Sequence, residues 1–70
     1  MLPHPIPSAV LIWKQGEYPL PAGISAAEGM RRLGLDPELY IAVRGGEVIP
    51  PETILQPGDR VQLIAVMAGG

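Results

Sequence analysis

This 70-residue sequence has no cysteine, no phenylalanine, a single histidine and no apolar run near the ~20 residues that a membrane-spanning helix needs. Without cysteine it can form no disulfide and offers no thiolate to a metal. The single histidine, His4, stands between Pro3 and Pro5, where it is not expected to ligate a metal or act as a base. We therefore predict no metal site, no bound cofactor and no membrane segment.

The sequence also lacks an excess of basic side chains. Five lysine and arginine residues face seven aspartate and glutamate residues, for a net charge of -2. A nucleic-acid-binding protein needs basic residues to neutralise phosphates. The N-terminus has no basic segment followed by an apolar core, so it does not resemble a secretory signal. These features predict a cytoplasmic protein, monomeric when free, that binds neither nucleic acid nor a membrane.

The first half of the chain predicts a hairpin and a helix. Residues 9–13 form an apolar strand, residues 14–17 a turn, and residues 18–21 a second strand whose two prolines confine it to a sheet edge. Ser25 and Glu28 form a capping box, in which the serine accepts from the Glu28 amide and the glutamate reaches back to the Ser25 amide. The helix is expected to end at Gly34, in the left-handed position that follows a helix C-terminus.

The second half predicts three further strands. They cover residues 40–44, 47–49 and 60–66, with a glycine turn at 45–46 and a tight turn at 56–59. The long connection through the helix permits a parallel pair of strands. We predict an α+β domain over residues 8–66, with a mixed sheet of four to five strands and one helix across one face. Residues 1–7, rich in proline, are predicted to be a flexible arm, and residues 67–70 a flexible tail.

Side chains alternate along the final strand, so its residues divide between two faces of the sheet. Val61, Leu63 and Ala65 are assigned to the face that the helix covers. Ile64 and Val66 would then lie on the open face. With Val10 or Ile12 beside them, they are predicted to form an exposed apolar patch that binds a partner. The alternative is a core that is apolar on both faces of the sheet.

The last four residues, Met67, Ala68, Gly69 and Gly70, follow the final strand directly. Glycine allows almost any backbone angle and the close approach of another surface. Two in succession make a thin peg whose one reactive group is the α-carboxylate of Gly70. Such a peg suits a channel that leads into another protein's active site. A plain chain end is the other interpretation of these residues.

In the order and spacing of its segments, the chain resembles the ThiS/MoaD family of small sulfur-carrier proteins, over about residues 9–70. The similarity lies in Gly16-Glu17, Leu20–Gly23, Leu33–Glu38, Ala42–Pro50, Leu55–Val61 and Gly69-Gly70. The segments Leu33–Glu38 and Gly46–Pro50 look more like ThiS than MoaD. The resemblance implies the ubiquitin-like β-grasp fold. The small residues Ala26 and Gly29 depart from the larger apolar residues usual at these positions in the family.

The resemblance also implies a mechanism. In the family an ATP-using activating enzyme adenylates the terminal glycine, here Gly70, and sulfur replaces AMP to give a thiocarboxylate. A sulfur-accepting synthase then takes the sulfur, for thiamin (thiazole) or related biosynthesis. The chain would be a co-substrate and not an enzyme, and ATP would belong to the activating partner. The alternatives are a molybdopterin or tRNA-thiolation carrier, a ubiquitin-like modifier conjugated through Gly70, and a plain β-grasp interaction module.

Overall fold

The computed structural model describes residues 8–66. Along this range it has five strands, one α-helix and one short 3-10 helix. In chain order they are β1 (Ser8–Trp13), β2 (Gly16–Pro21), α1 (Ala26–Arg32), the 3-10 helix (Pro37–Leu39), β3 (Tyr40–Arg44), β4 (Glu47–Ile49) and β5 (Arg60–Ala65). No helix within residues 8–66 is long and apolar enough to cross a membrane. The predicted arm, residues 1–7, and the predicted tail, residues 67–70, lie outside the described residues.

The strands form one mixed sheet in the order β2-β1-β5-β3-β4. Hairpins join β1 to β2 and β3 to β4, and both pairs are antiparallel. β5 lies in the centre, parallel to β1 and antiparallel to β3. The parallel pair requires the long crossover that contains α1. β2 carries Pro19 and Pro21 and lies at the edge of the sheet, as the missing amide hydrogens of proline require. The predicted α+β architecture, a mixed sheet of four to five strands with one helix, is confirmed, and the sheet has five strands.

The ends of α1 are set by its own sequence. The Ser25 hydroxyl accepts a hydrogen bond from the Glu28 amide at 3.0 Å, as predicted. At the other end, Gly34 has a φ of 80°, and the Leu35 amide donates to the Met30 carbonyl at 2.9 Å. This is the Schellman arrangement, which satisfies carbonyls that the helix would otherwise leave unpaired.

Two details of the predicted local structure were wrong. The Glu28 carboxylate does not close the capping box. It lies instead 3.4 Å from Arg32 and 3.6 Å from Arg31, because opposite charges three and four residues apart meet on a helix surface. The first hairpin turn is also shorter than predicted: Trp13 pairs with Gly16, so only Lys14 and Gln15 form the loop.

The core lies between α1 and one face of the sheet. Its largest fully buried side chains are Leu11, Met30, Leu55 and Val61. Gly29 faces the same region, and a Cβ atom at this position would lie 3.0 Å from a methyl carbon of Leu11 and 3.0 Å from one of Leu20. The absence of a side chain at Gly29 therefore lets the helix approach the sheet closely.

Asp59 anchors the turn that leads into β5. Its carboxylate accepts from the Gln56 amide at 2.9 Å and from the Arg44 guanidinium at 2.8 Å. The backbone hydrogen bond from Gln56, assisted by Arg44, holds the pKa of Asp59 below its usual value of 3.8, although partial burial acts in the opposite direction. The predicted tight turn is confirmed, with the Asp59 amide donating to the Gln56 carbonyl and Gly58 at a φ of 84°.

We expect Gly29→Ala to lower the free energy of unfolding by about 1 kcal/mol, although alanine has the better helix propensity by a similar amount. The added methyl group must push Leu11 and Leu20 aside. Urea denaturation measures the effect. In a Leu20→Ala background one of the two obstructing side chains is gone, so the same change should cost less. An equal cost in both backgrounds would show that Leu20 does not limit the approach of the helix.

We expect Asp59 to contribute to acid unfolding. Because the folded pKa is depressed, its stabilisation is complete above the unfolded value near 3.8 and is lost as the pH falls through the lower folded value. The free energy of unfolding of Asp59→Asn should therefore fall less steeply than that of the parent below about pH 4, while being lower at neutral pH. Parallel acid slopes for the two proteins would contradict this role.

Candidate functional site: the open face of the sheet

The single helix leaves the opposite face of the sheet open among the described residues. Register places side chains on this face in rows across the strands. Ile64 of β5 is opposite Ile41 of β3. Gln62 lies between Ile12 of β1 and Val43 of β3, and Val43 is opposite Val48 of β4. The open face is thus apolar on β3, β4 and the end of β5.

Ile64 and Val66 are both on the surface, each with 46% of its area exposed. Leu63 lies between Gln62 and Ile64 in the sequence but on the other face of the sheet. It is only 5% exposed and belongs to the core. The predicted division of β5 into two faces therefore matches the structure for these residues. Ala65 is the exception, since it is exposed instead of buried. It lies at the end of β5, where β1 has already turned away and cannot cover it.

Val10 and Ile12 also lie on the open face and are half-buried. They do not adjoin Ile64, because Gln62 separates Ile12 from it along β5. The Arg60 guanidinium donates to the carboxylate of Glu17 at 2.7 Å. Arg60 is opposite Val10, and Glu17 is opposite Ile12. This ion pair spans β1 on the open face, so charged groups border Val10 and Ile12, and Gln62 lies between Ile12 and the apolar side chains of β3.

Three residues of this surface were missed by the sequence analysis: Ile41, Val43 and Val48. Val48 is the most exposed of the apolar residues on this face, at 67%, while Ile41 and Val43 are half-buried. Alternation within β3, where Ala42 faces the core, could have found Ile41 and Val43. We call Ile41, Val43, Val48, Ile64 and Val66 the apolar patch.

The apolar patch reaches the point where the tail begins. Val66 follows β5 directly, and its amide donates to the Leu39 carbonyl at 2.9 Å. This bond continues the ladder between β3 and β5 to the last described residue. The predicted adenylation site, Gly70, and the other tail residues, Met67, Ala68 and Gly69, lie outside the described residues. The patch therefore extends to the last described residue, after which the tail follows in the sequence.

The described residues offer binding surface more than reactive chemistry. In residues 8–66 no group of three histidine, cysteine, aspartate or glutamate side chains is arranged to hold a metal ion. Every buried side-chain nitrogen or oxygen in this range has a hydrogen-bond partner. The arrangement can hold a partner against the patch, which extends to Val66, the last described residue.

One helix on a five-stranded mixed sheet, with a parallel pair at its centre, is the ubiquitin-like β-grasp fold. The ThiS family model matches residues 13–70, which include strands β2 to β5, the helix α1 and the C-terminal glycines. The chain belongs to the ThiS family, whose members are small sulfur-carrier proteins. A comparison with curated proteins finds no match.

The two faces of β5 yield a matched pair of variants. We expect Ile64→Glu to change the free energy of unfolding by about 1 kcal/mol or less, because the new charge can remain in water. Leu63→Glu should cost about 3 kcal/mol or more, because it places a carboxylate in the core. Thermal and urea denaturation of both variants measure this contrast. Equal losses would mean that Ile64 is a core residue and not part of a binding surface.

Proposed function

We propose that this chain is a sulfur carrier whose Gly70 carboxylate is adenylated by an ATP-dependent activating enzyme and then converted to a thiocarboxylate. A synthase that accepts the sulfur would use it in thiamin (thiazole) biosynthesis or a related pathway, and the resemblance of residues 33–38 and 46–50 to ThiS supports this choice. The observation that supports the proposal most is the family match, which extends through the Gly69-Gly70 end and over a β-grasp domain with one open apolar face.

The chemistry needs activation because a carboxylate is a poor acyl donor. Its oxygen attacks the α-phosphorus of ATP, pyrophosphate leaves, and the acyl adenylate forms. Hydrosulfide, or sulfur at the same oxidation level supplied by the partner, attacks the acyl carbon, AMP leaves with the bonding electron pair, and loss of the S–H proton leaves the thiocarboxylate. Each step takes place at the chain end inside the partner's site. This chain would supply the carboxylate and the surface that brings it there.

The apolar patch would supply binding energy that the tail cannot. Holding residues 68–70 in one extended conformation costs about 1–2 kcal/mol per residue in backbone entropy. Ala68, Gly69 and Gly70 have almost no side chain to offset that cost. Burial of apolar area stabilises a complex by roughly 25 cal/mol per Å². Docking of the patch would therefore offset the ordering of the tail.

The same activation chemistry would serve a ubiquitin-like modifier, so the product and not the adenylation separates the two functions. Capture of the chain from cells distinguishes them. A thiocarboxylate on the free chain supports the carrier, and isopeptide adducts on other proteins support the modifier. Lys14 is the sole lysine of the sequence. If copies of the protein were joined to one another through lysine side chains, each copy would have a single attachment site.

We expect Gly70→Val to abolish ATP–pyrophosphate exchange with the cognate activating enzyme while leaving thermal stability and binding of the enzyme unchanged. The branched side chain would clash in a channel built for glycine. Ile64→Glu should instead weaken binding of the activating enzyme, although the sequence of its tail is unchanged. Normal exchange by Gly70→Val would exclude the threaded chain end, and a large fall in its melting temperature would show that Gly70 is structural.

A further inference from the structure

The second surface of interest is a groove beside the end of β5, on the side of β1. β1 and β5 pair only as far as Ile12 and Gln62. β5 continues to Ala65, still paired with β3 on its other side. Because β1 turns away at Lys14, an open groove remains between the turn and the last residues of β5. Its lining comes from three strands: Trp13 and the turn residue Lys14 on the side of β1, residues 62–65 of β5, and Tyr40 of β3, which is opposite Ala65.

The backbone of β5 turns unpaired hydrogen-bonding groups toward this groove. The main-chain groups of successive residues in a strand point to alternate sides. The Val66 amide bonds to Leu39 on the β3 side, and the Val10 amide bonds to the Asp59 carbonyl on the β1 side. Both bonds indicate the same alternation, in which the main-chain amide and carbonyl groups of Leu63 and Ala65 point toward the β1 side. Beyond the end of β1, the Leu63 carbonyl and both main-chain groups of Ala65 therefore have no neighbouring strand among the described residues.

The walls of the groove are held in place by packing. The Trp13 ring meets Tyr40 edge-on at 6.4 Å between centroids and lies 6.2 Å from Tyr18. Such aromatic pairs fix the position of the turn that bounds the groove. Lys14 has a φ of 56°, a backbone conformation that costs a non-glycine residue about 1–3 kcal/mol. A glycine or asparagine would suit this turn with less strain.

The charge of the groove is positive. Lys14 is the one ionisable group with a full charge at neutral pH among the residues that line it. Its ammonium lies 5.0 Å from the centroid of the Trp13 ring, and no described carboxylate forms an ion pair with it. An ammonium group without an ion-pair partner favours an anionic side chain, which another molecule would supply.

We propose that an extended segment of the activating enzyme, bearing an acidic side chain, adds to the end of β5 in this groove as an additional strand. Its main chain would pair with Leu63 and Ala65, and its carboxylate would meet Lys14. Strand addition to an exposed sheet edge is a recurrent mode of peptide binding. This inference rests on the proposed function, because the enzyme supplies the strand.

Hydrogen exchange tests the backbone part. In the free chain, the Ala65 amide should exchange at least about tenfold faster than that of its neighbour Ile64, which bonds to β3. In complex with the activating enzyme, Ala65 should become protected by a similar factor while Ile64 changes little. If Ala65 is protected as strongly as Ile64 in the free chain, the edge is already occupied and the proposal is wrong. Protection that grows with the concentration of the free chain would assign the edge to a second copy, and would also overturn it.

Charge reversal tests the side-chain part. We expect Lys14→Glu to raise the Kd for the activating enzyme about tenfold, with a weaker effect at high salt. Lys14→Arg should bind nearly as the parent does. Arg31→Glu, the same charge change on the helix, should alter Kd by less than about twofold. If Lys14→Glu and Arg31→Glu raise Kd equally, the effect comes from the net charge of the protein, which would contradict a local contact at Lys14.

Ala65→Pro removes the one amide hydrogen that faces the groove without removing a bond to β3. We expect it to weaken binding about fivefold at unchanged melting temperature. Unchanged Kd for both Ala65→Pro and Lys14→Glu would overturn the added strand. Gly70→Val separates this result from the proposed function. If Gly70→Val loses ATP–pyrophosphate exchange while the groove variants bind the enzyme normally, the sulfur-carrier function stands and only the added strand is excluded.

Discussion

The structure depends on the fact that one seven-residue helix can cover only one face of a five-stranded sheet. A chain of this length buries roughly 60% of the surface that it exposes when unfolded, and residues 8–66 contain no second α-helix that could cover the other face. The core is therefore one layer between α1 and the sheet. It is made thin by the close approach at Gly29, where methyl groups of Leu11 and Leu20 fill the space that a side chain would take.

The open face has an internal division that follows from charge. The pair between Arg60 and Glu17 spans β1 and covers the side near β2, which ends in prolines at the sheet edge. The side near β3 and β4 has no such pair among the described residues and is apolar. Exposed apolar patches of this kind, bordered by polar groups, mark binding surfaces in soluble proteins. The position of the patch at the end of β5 links it to the chain end, which is where the proposed chemistry takes place.

Sequence patterns predicted the elements well because each has a local cause. The serine cap, Gly34 after the helix, the glycine turn and the prolines of β2 each act within a few residues. The division of Leu63 and Ile64 between two faces also follows from alternation along a single strand. These features need no knowledge of which strands are neighbours.

What the sequence could not predict depends on register and on competing partners. The contribution of Val48 and Ile41 to the patch requires knowing that β4 and β3 follow β5 across the sheet. Ala65 was assigned to the core by alternation alone, but β1 ends before it and leaves it exposed. Glu28 had two possible partners, the Ser25 amide and the arginines one turn later, and local spacing did not decide between them. The separation of Ile12 from Ile64 by Gln62 is likewise a matter of register.

The carrier function requires this domain to hold sulfur on its own terminal carboxylate. The intact mass of the chain, and of its C-terminal peptide, tests this after incubation with the activating enzyme, ATP and a sulfur donor. We expect the mass change of one oxygen replaced by sulfur, located at Gly70 and dependent on ATP. An unchanged mass under conditions in which the enzyme consumes ATP, or a chain recovered only as amide-linked adducts, would contradict it.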